Sequence, residues 1–175
     1  MRRLTDAYSR LLDVLLGISV AALMVPVTIQ IVARYTALIP AWIWTEEMAR
    51  FLFIWMVMLG AMIGVREGTH FEVDVWPQLS DRGNALLRIV TYAFILVFAC
   101  VFVWYGIQFV QFGWNQSSEL AEMPMVYIFV AWPLAGFTWL LFLAERLRSD
   151  LRILRGDATA ADFPPPRDPA EISAE

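Results

Sequence analysis

Four stretches free of charged residues, Val14 to Ala33, Phe51 to Val65, Ile89 to Ser118 and Met123 to Ala144, alternate with polar segments along the chain. A helix rises about 1.5 Å per residue, so roughly 20 residues cross a hydrocarbon core about 30 Å thick. The first, third and fourth stretches have that length. The second gains it only by running back through Arg50, Glu47 and Glu46 to about Thr45, which sets these charges where helix two meets the membrane surface. The pattern predicts helices over about 4–35, 45–66, 84–113 and 123–147. Pro26 removes a backbone donor and crowds the preceding turn, so an interruption or kink is expected in helix one.

These elements make residues 1–155 one four-helix membrane domain. The connection "REGTHFEVDVWPQLSDRGN" alternates apolar and polar residues from Phe71 to Val75, as a segment lying along a membrane surface would. The stretch 156–175 is rich in proline and alanine and too poor in apolar bulk to fold alone, so it reads as a disordered tail. No internal repeat is visible, which argues against an inverted-repeat transporter core within the chain.

Composition supports the membrane assignment. At 59% hydrophobic residues and a mean hydropathy of +0.60, the chain exceeds the roughly 45–50% apolar content of soluble domains. The fold class is an all-α integral membrane protein with four transmembrane helices. Net charge is −4, but the placement of arginine says more, since every basic residue is Arg. Arg2, Arg3 and Arg10 precede helix one, Arg66, Arg82 and Arg88 flank the second connection, and Arg146, Arg148, Arg152 and Arg155 close helix four. The other side has Arg34 and Arg50, with Glu119 and Glu122 in the third connection. The positive-inside rule then predicts both termini to be cytoplasmic. The first apolar stretch lacks a cleavage pattern and is expected to stay as an anchor. A lone Cys100 excludes an intrachain disulfide.

Candidate chemistry concentrates in "PAWIWTEEMARFLFIW", Pro40 to Trp55. At 100° per residue, Glu46, Arg50, Phe53, Val57, Gly60, Gly64 and Gly68 fall within about 40° of one line on helix two. One face thus combines an i,i+4 ion pair with a ridge of glycines at Gly60, Gly64 and Gly68. Small residues at this spacing admit a second helix at close range, in a solvent where hydrophobicity cannot drive helices together. That second helix belongs either to a partner or to this chain. Thr45 can cap helix two, and acidic residues in a first turn are favoured by the helix dipole. Arg34 ends helix one at the same depth, so Arg34, Glu46, Glu47 and Arg50 form a candidate charge cluster fixing the hairpin or a subunit contact. Trp42 and Trp44 are placed as interfacial anchors.

Gln108, Gln111 and Asn115 make a polar stripe near the end of helix three, suited to interhelical hydrogen bonds or to water. His70, Glu72 and Asp74 lack the ligand set of a zinc site, and one histidine cannot supply the two axial ligands of a bis-His haem bundle. No nucleophile–base pair, phosphate loop or nucleic-acid patch is present. The chain therefore reads as non-enzymatic, without metal or cofactor.

Two stretches carry a family resemblance. "ARYTALIPAWIWTEEMARFLFIWMVMLGAMIGVREGTHFEVDVW" resembles the first-to-second helix segment of the small membrane subunit of tripartite ATP-independent periplasmic (TRAP) transporters. The matching positions are Arg34, Trp44, Glu46, Glu47, Arg50, Gly60, Ala61, His70, Val73 and Asp74. "SSELAEMPMVYIFVAWPLAGF" is similar to that family's start of helix four, with Ser117, Met123, Pro124, Tyr127, Pro133 and Gly136 in register, although Glu119 and Glu122 make this connection more acidic than the family pattern. The resemblance covers about Leu4 to Leu147. It implies a subunit of the bacterial inner membrane that binds no substrate itself. In such systems a large multi-spanning permease performs sodium-coupled symport of an organic acid, delivered by a periplasmic binding protein, while the small subunit braces the large one in the bilayer. The rival readings are a self-associating four-helix channel or exporter, which would need a polar lining absent from the middle of these helices, and a membrane redox enzyme, which would carry a chromophore.

Overall fold

A computed structural model describes residues 2–36, 39–40, 42–67, 81–119 and 122–155. Gly68, the connection holding His70, Glu72 and Asp74, and the tail 156–175 lie outside the described residues. The elements are α1 (Arg2–Thr36), α2 (Ile43–Glu67), α3 (Asp81–Gly113), α4 (Val126–Phe129) and α5 (Ala131–Arg155). Four segments are long and apolar enough to span a bilayer: Thr5–Thr36, Ile43–Arg66, Ile89–Gly113 and Val126–Arg148. Among the described residues there is no strand beyond one isolated bridge, Ser117 to Pro124.

Three elements depart from the sequence expectation. First, α1 passes through Pro26 without interruption, with Pro26 itself buried. Second, α2 begins at Ile43 rather than at Thr45. Thr45 sits inside its first turn, and both its amide (3.1 Å) and its hydroxyl (2.7 Å) donate to the Trp42 carbonyl, so it is not the cap. Third, the fourth span is two helices divided at Val130. Pro133 explains the division, because it offers no amide to the Phe129 carbonyl one turn before it. The chain recovers at once, the Leu134 amide donating to the Val130 carbonyl at 3.2 Å.

Main-chain packing runs in the order α1, α2, α5, α3: α1 lies along α2, α2 along α5, and α5 along α3. The inner members of this row carry the core. Of the spanning windows, 28% in α2 and 44% in the fourth span are buried, against 6% in α1 and 11% in α3. Met58, Leu59, Met62 and Ile63 of α2 meet Ala131, Ala135, Trp139 and Phe142 of α5, with Leu12 of α1 and Ala99 of α3 completing the cluster.

α3 and α5 approach closely at two glycines. A methyl placed on Gly106 would stand 2.7 Å from both the ring and the nitrogen of Pro133, and one on Gly136 would stand 2.9 Å from the Ala99 carbonyl oxygen. Aromatic rings fill the space on either side: Phe102 meets Trp139 (centroids 4.8 Å) and Trp132 (5.2 Å), and Phe109 meets Phe129 (5.6 Å). Two indoles tie α2 across the row. Trp55 Nε1 donates to the Tyr127 carbonyl at 2.9 Å and Trp139 Nε1 to the Ala61 carbonyl at 3.0 Å. Each spends an indole donor that would otherwise lack a partner in an apolar layer.

Candidate functional site

Even numbers of spans return a chain to its starting side, so both ends of the row differ in kind: one holds the α1–α2 connection and the loop 114–125, the other the ends of the chain. At the loop end, Arg50 pairs with Glu46 at 3.6 Å, both side chains more than half exposed (60% and 67%). Arg34, at the last turn of α1, is exposed and joins no ion pair among the described residues. The structure thus brings together Glu46 and Arg50 but leaves Arg34 outside, and the bridge expected from Arg34 to Glu46 or Glu47 is not formed. Glu47 is different again, only 7% exposed and engaged within the chain. Trp42 and Trp44 stack on each other with centroids 6.2 Å apart and stay half-exposed.

The glycine line of α2 faces away from the packed helices in its upper part. Phe53 and Val57 are exposed, and a methyl on Gly60 would meet nothing within 4 Å. Gly64 is buried and lines, with Ala61, Val65, Phe94, Ile95, Phe98 and Trp139, an apolar groove of about 350 Å³ between α2 and α3. Gly68 lies outside the described residues. The polar stripe of α3 also turns outward, with Gln108, Gln111 and Asn115 all exposed.

The opposite end holds a cluster that the sequence reading did not find. Arg66, at the foot of α2, donates from Nη2 to Asp6 Oδ1 of α1 at 2.5 Å and lies over the Phe142 ring, 5.9 Å from its centroid. Arg146 of α5 donates from Nη2 to the Arg66 carbonyl. One turn further in, the hydroxyl of Tyr8 meets Thr138 Oγ1 at 2.8 Å. Thr138 has one proton, which goes to the Leu134 carbonyl at 2.8 Å, so Tyr8 is the donor. Three helices are joined here by polar contacts. The available signal was that Asp6 and Arg66 close the two ends of one helical hairpin at the same membrane face.

The loop 114–125 is a tight reversal. The Ser118 amide donates to the Met123 carbonyl at 2.8 Å and the Met125 amide to the Gln116 carbonyl at 2.9 Å, with Glu122 in the left-handed region at φ 52°. Glu119 and Glu122 are exposed. Among the described residues, no three His, Cys, Asp or Glu side chains gather as metal ligands would.

Fold and geometry together define a multi-pass helical membrane protein whose interior is packed shut and whose outer helix faces are left apolar and uncovered. Comparison with known proteins places it further. The model of the family described as "Tripartite ATP-independent periplasmic transporters, DctQ component" matches residues 23–153. A Haemophilus influenzae protein assigned as a TRAP transporter small permease protein is 33% identical over 162 residues, covering 90% of this chain and 98% of that protein. The C4-dicarboxylate TRAP transporter small permease protein DctQ of Rhodobacter capsulatus is 33% identical over 103 residues, 54% of this chain and 43% of that protein. The isethionate TRAP transporter permease protein DctMQ of Oleidesulfovibrio alaskensis is 25% identical over 140 residues, which are 75% of this chain but only 22% of that much longer protein. The chain belongs to the DctQ component family of TRAP transporters: it is a small permease subunit.

Proposed function

We propose that this subunit braces a large multi-spanning permease during sodium-coupled uptake of an organic acid, handed over by a periplasmic binding protein. The observation that carries the bracing role is the uncovered line of α2, where Phe53, Val57 and Gly60 present an apolar strip that none of the described residues fills. Close helix approach at small residues is how membrane helices associate without a hydrophobic driving force. The relative DctMQ supports the partnership, since there a segment like this chain forms about a fifth of one longer permease. The names of two relatives specify isethionate and C4-dicarboxylate, both organic acids, which supports that substrate class.

In this reading residues 1–155 are the membrane domain, both termini are cytoplasmic by the arginine distribution, and the loop end faces the periplasm. Arg34, Glu46, Glu47 and Arg50 then form a charged collar at the periplasmic surface, with Arg34 available to a neighbouring chain. Trp42 and Trp44 anchor that surface, and Gly60, beside Phe53 and Val57, is the part of the glycine ridge that meets the permease. The test is to tag the C-terminus, extract in mild detergent and identify co-purifying chains by mass spectrometry. Near-equal recovery of one large multi-spanning protein is expected; a stable species made only of this chain would reject the bracing role in favour of a self-associating oligomer.

A further inference from the structure

We propose that the apolar groove between α2 and α3 receives bulky apolar side chains from one transmembrane helix of the large permease, extending the contact from α2 onto α3. The proposal rests on the reading that the open line of α2 meets the permease. That line is too small to hold a partner alone. A stable protein–protein contact buries about 800 Å² on each side, and one large aromatic side chain supplies roughly 150–250 Å². Phe53, Val57 and Gly60 fall far short of that, so the contact has to continue. Outward along α2 the line runs into the exposed pair of Glu46 and Arg50. Inward it passes from Gly60 to Gly64, one turn on, and there enters the groove.

The shape and chemistry of the groove fit such an occupant. α2 and α3 both pack against α5, and Trp139 of α5 lines the groove between them. Each wall is about one helical turn long, Ala61 to Val65 on α2 and Phe94 to Phe98 on α3. A cavity of about 150 Å³ admits one benzene ring, so the groove of about 350 Å³ holds about two bulky side chains, set one turn apart on a single helix. The indole of Trp139 is the one polar side-chain group in the lining, and its donor is spent on the Ala61 carbonyl at 3.0 Å, which leaves a polar occupant without a partner. That bond and the Phe98 ring, 6.4 Å from Trp139 between centroids, hold the cavity ready-formed. An acyl chain confined there gives up conformational freedom, whereas side chains on a helix are already ordered, so exchange of lipid for the permease is favourable. Phe94 and Phe98, which line the groove and are both exposed, are then the anchors on α3.

The test places a photo-crosslinking amino acid at Phe94, and separately at Val57, in the full chain within its native membrane. Both positions should give an adduct to the same large multi-spanning protein. The permease from Val57, but only lipid, a second copy of this chain or this chain's own residues from Phe94, would overturn the groove assignment and leave the bracing role standing. No permease from either position would remove both. A second measurement follows dissociation of the detergent-extracted complex on dilution, by native mass spectrometry. Loss of one interface anchor should weaken the complex about tenfold in Phe94→Ala. Phe112→Ala is the control, since Phe112 lies on the same face of α3, about five turns away, and is similarly exposed (61% against 74%). It should dissociate as wild type does. An unchanged complex in Phe94→Ala, or an equal loss in both variants, would overturn the proposal.

Discussion

Gly60 on α2 and the glycines Gly106 on α3 and Gly136 on α5 do opposite things in the same bilayer-spanning row. Gly106 and Gly136 are closed, with a Pro133 ring or an Ala99 carbonyl where a Cβ would stand, while Gly60 is open. The closed pair is spent inside the chain and sets how near α3 comes to α5. The open one would meet nothing among the described residues, although glycine costs about 1 kcal/mol relative to alanine within a helix. Open space at Gly60 is what the proposed contact with the permease would use.

The largest effect should come from the closed pair. Gly106→Ala and Gly136→Ala must displace backbone or a proline ring, and overpacking of this kind costs about 1–3 kcal/mol. Unfolding in mixed micelles, followed by helix content, should show each variant destabilised, and a wild-type midpoint for either would remove the close-packing account. Next is Tyr8→Phe, which strands the Thr138 oxygen at the chain-end cluster. Interhelical hydrogen bonds in membranes average about 0.6 kcal/mol, and the same titration should register a loss of that order. Smaller still is Glu46→Gln. Its pair with Arg50 is an exposed i,i+4 contact worth about 0.3–0.5 kcal/mol, so unfolding should barely move. Gly60→Ala should be neutral or slightly stabilising for the isolated chain, yet lower recovery of the large permease on co-purification. If instead Gly60→Ala unfolds the chain and Gly106→Ala does not, the contrast between the two glycine sets is inverted.

The two ion pairs repeat the lesson. Glu46 and Arg50 were legible because they lie one helical turn apart, and local spacing is enough to pair them. Asp6 and Arg66 are 60 positions apart and meet only because α1 lies antiparallel along α2. Arg34 looked like a partner for Glu46 by depth alone, but depth does not give azimuth around a helix, and Glu46 pairs with Arg50 instead. The four spans were legible for a sturdier reason, since apolar length is a property of each segment by itself. Where the reading missed, as at Thr45 and at the division of the fourth span, the cause was local chemistry: carbonyl acceptance by Trp42 starts α2 earlier, and the missing amide of Pro133 splits the helix at Val130.

The most direct test of the bracing role is to place a photo-crosslinking amino acid at Val57, on the open line of α2, in the full chain within its native membrane, and at Ala135, in the closed core, as the control. The account predicts one adduct from position 57, to a large multi-spanning protein, and none between chains from position 135. Adducts from position 57 confined to lipid, or to a second copy of this chain, would contradict it.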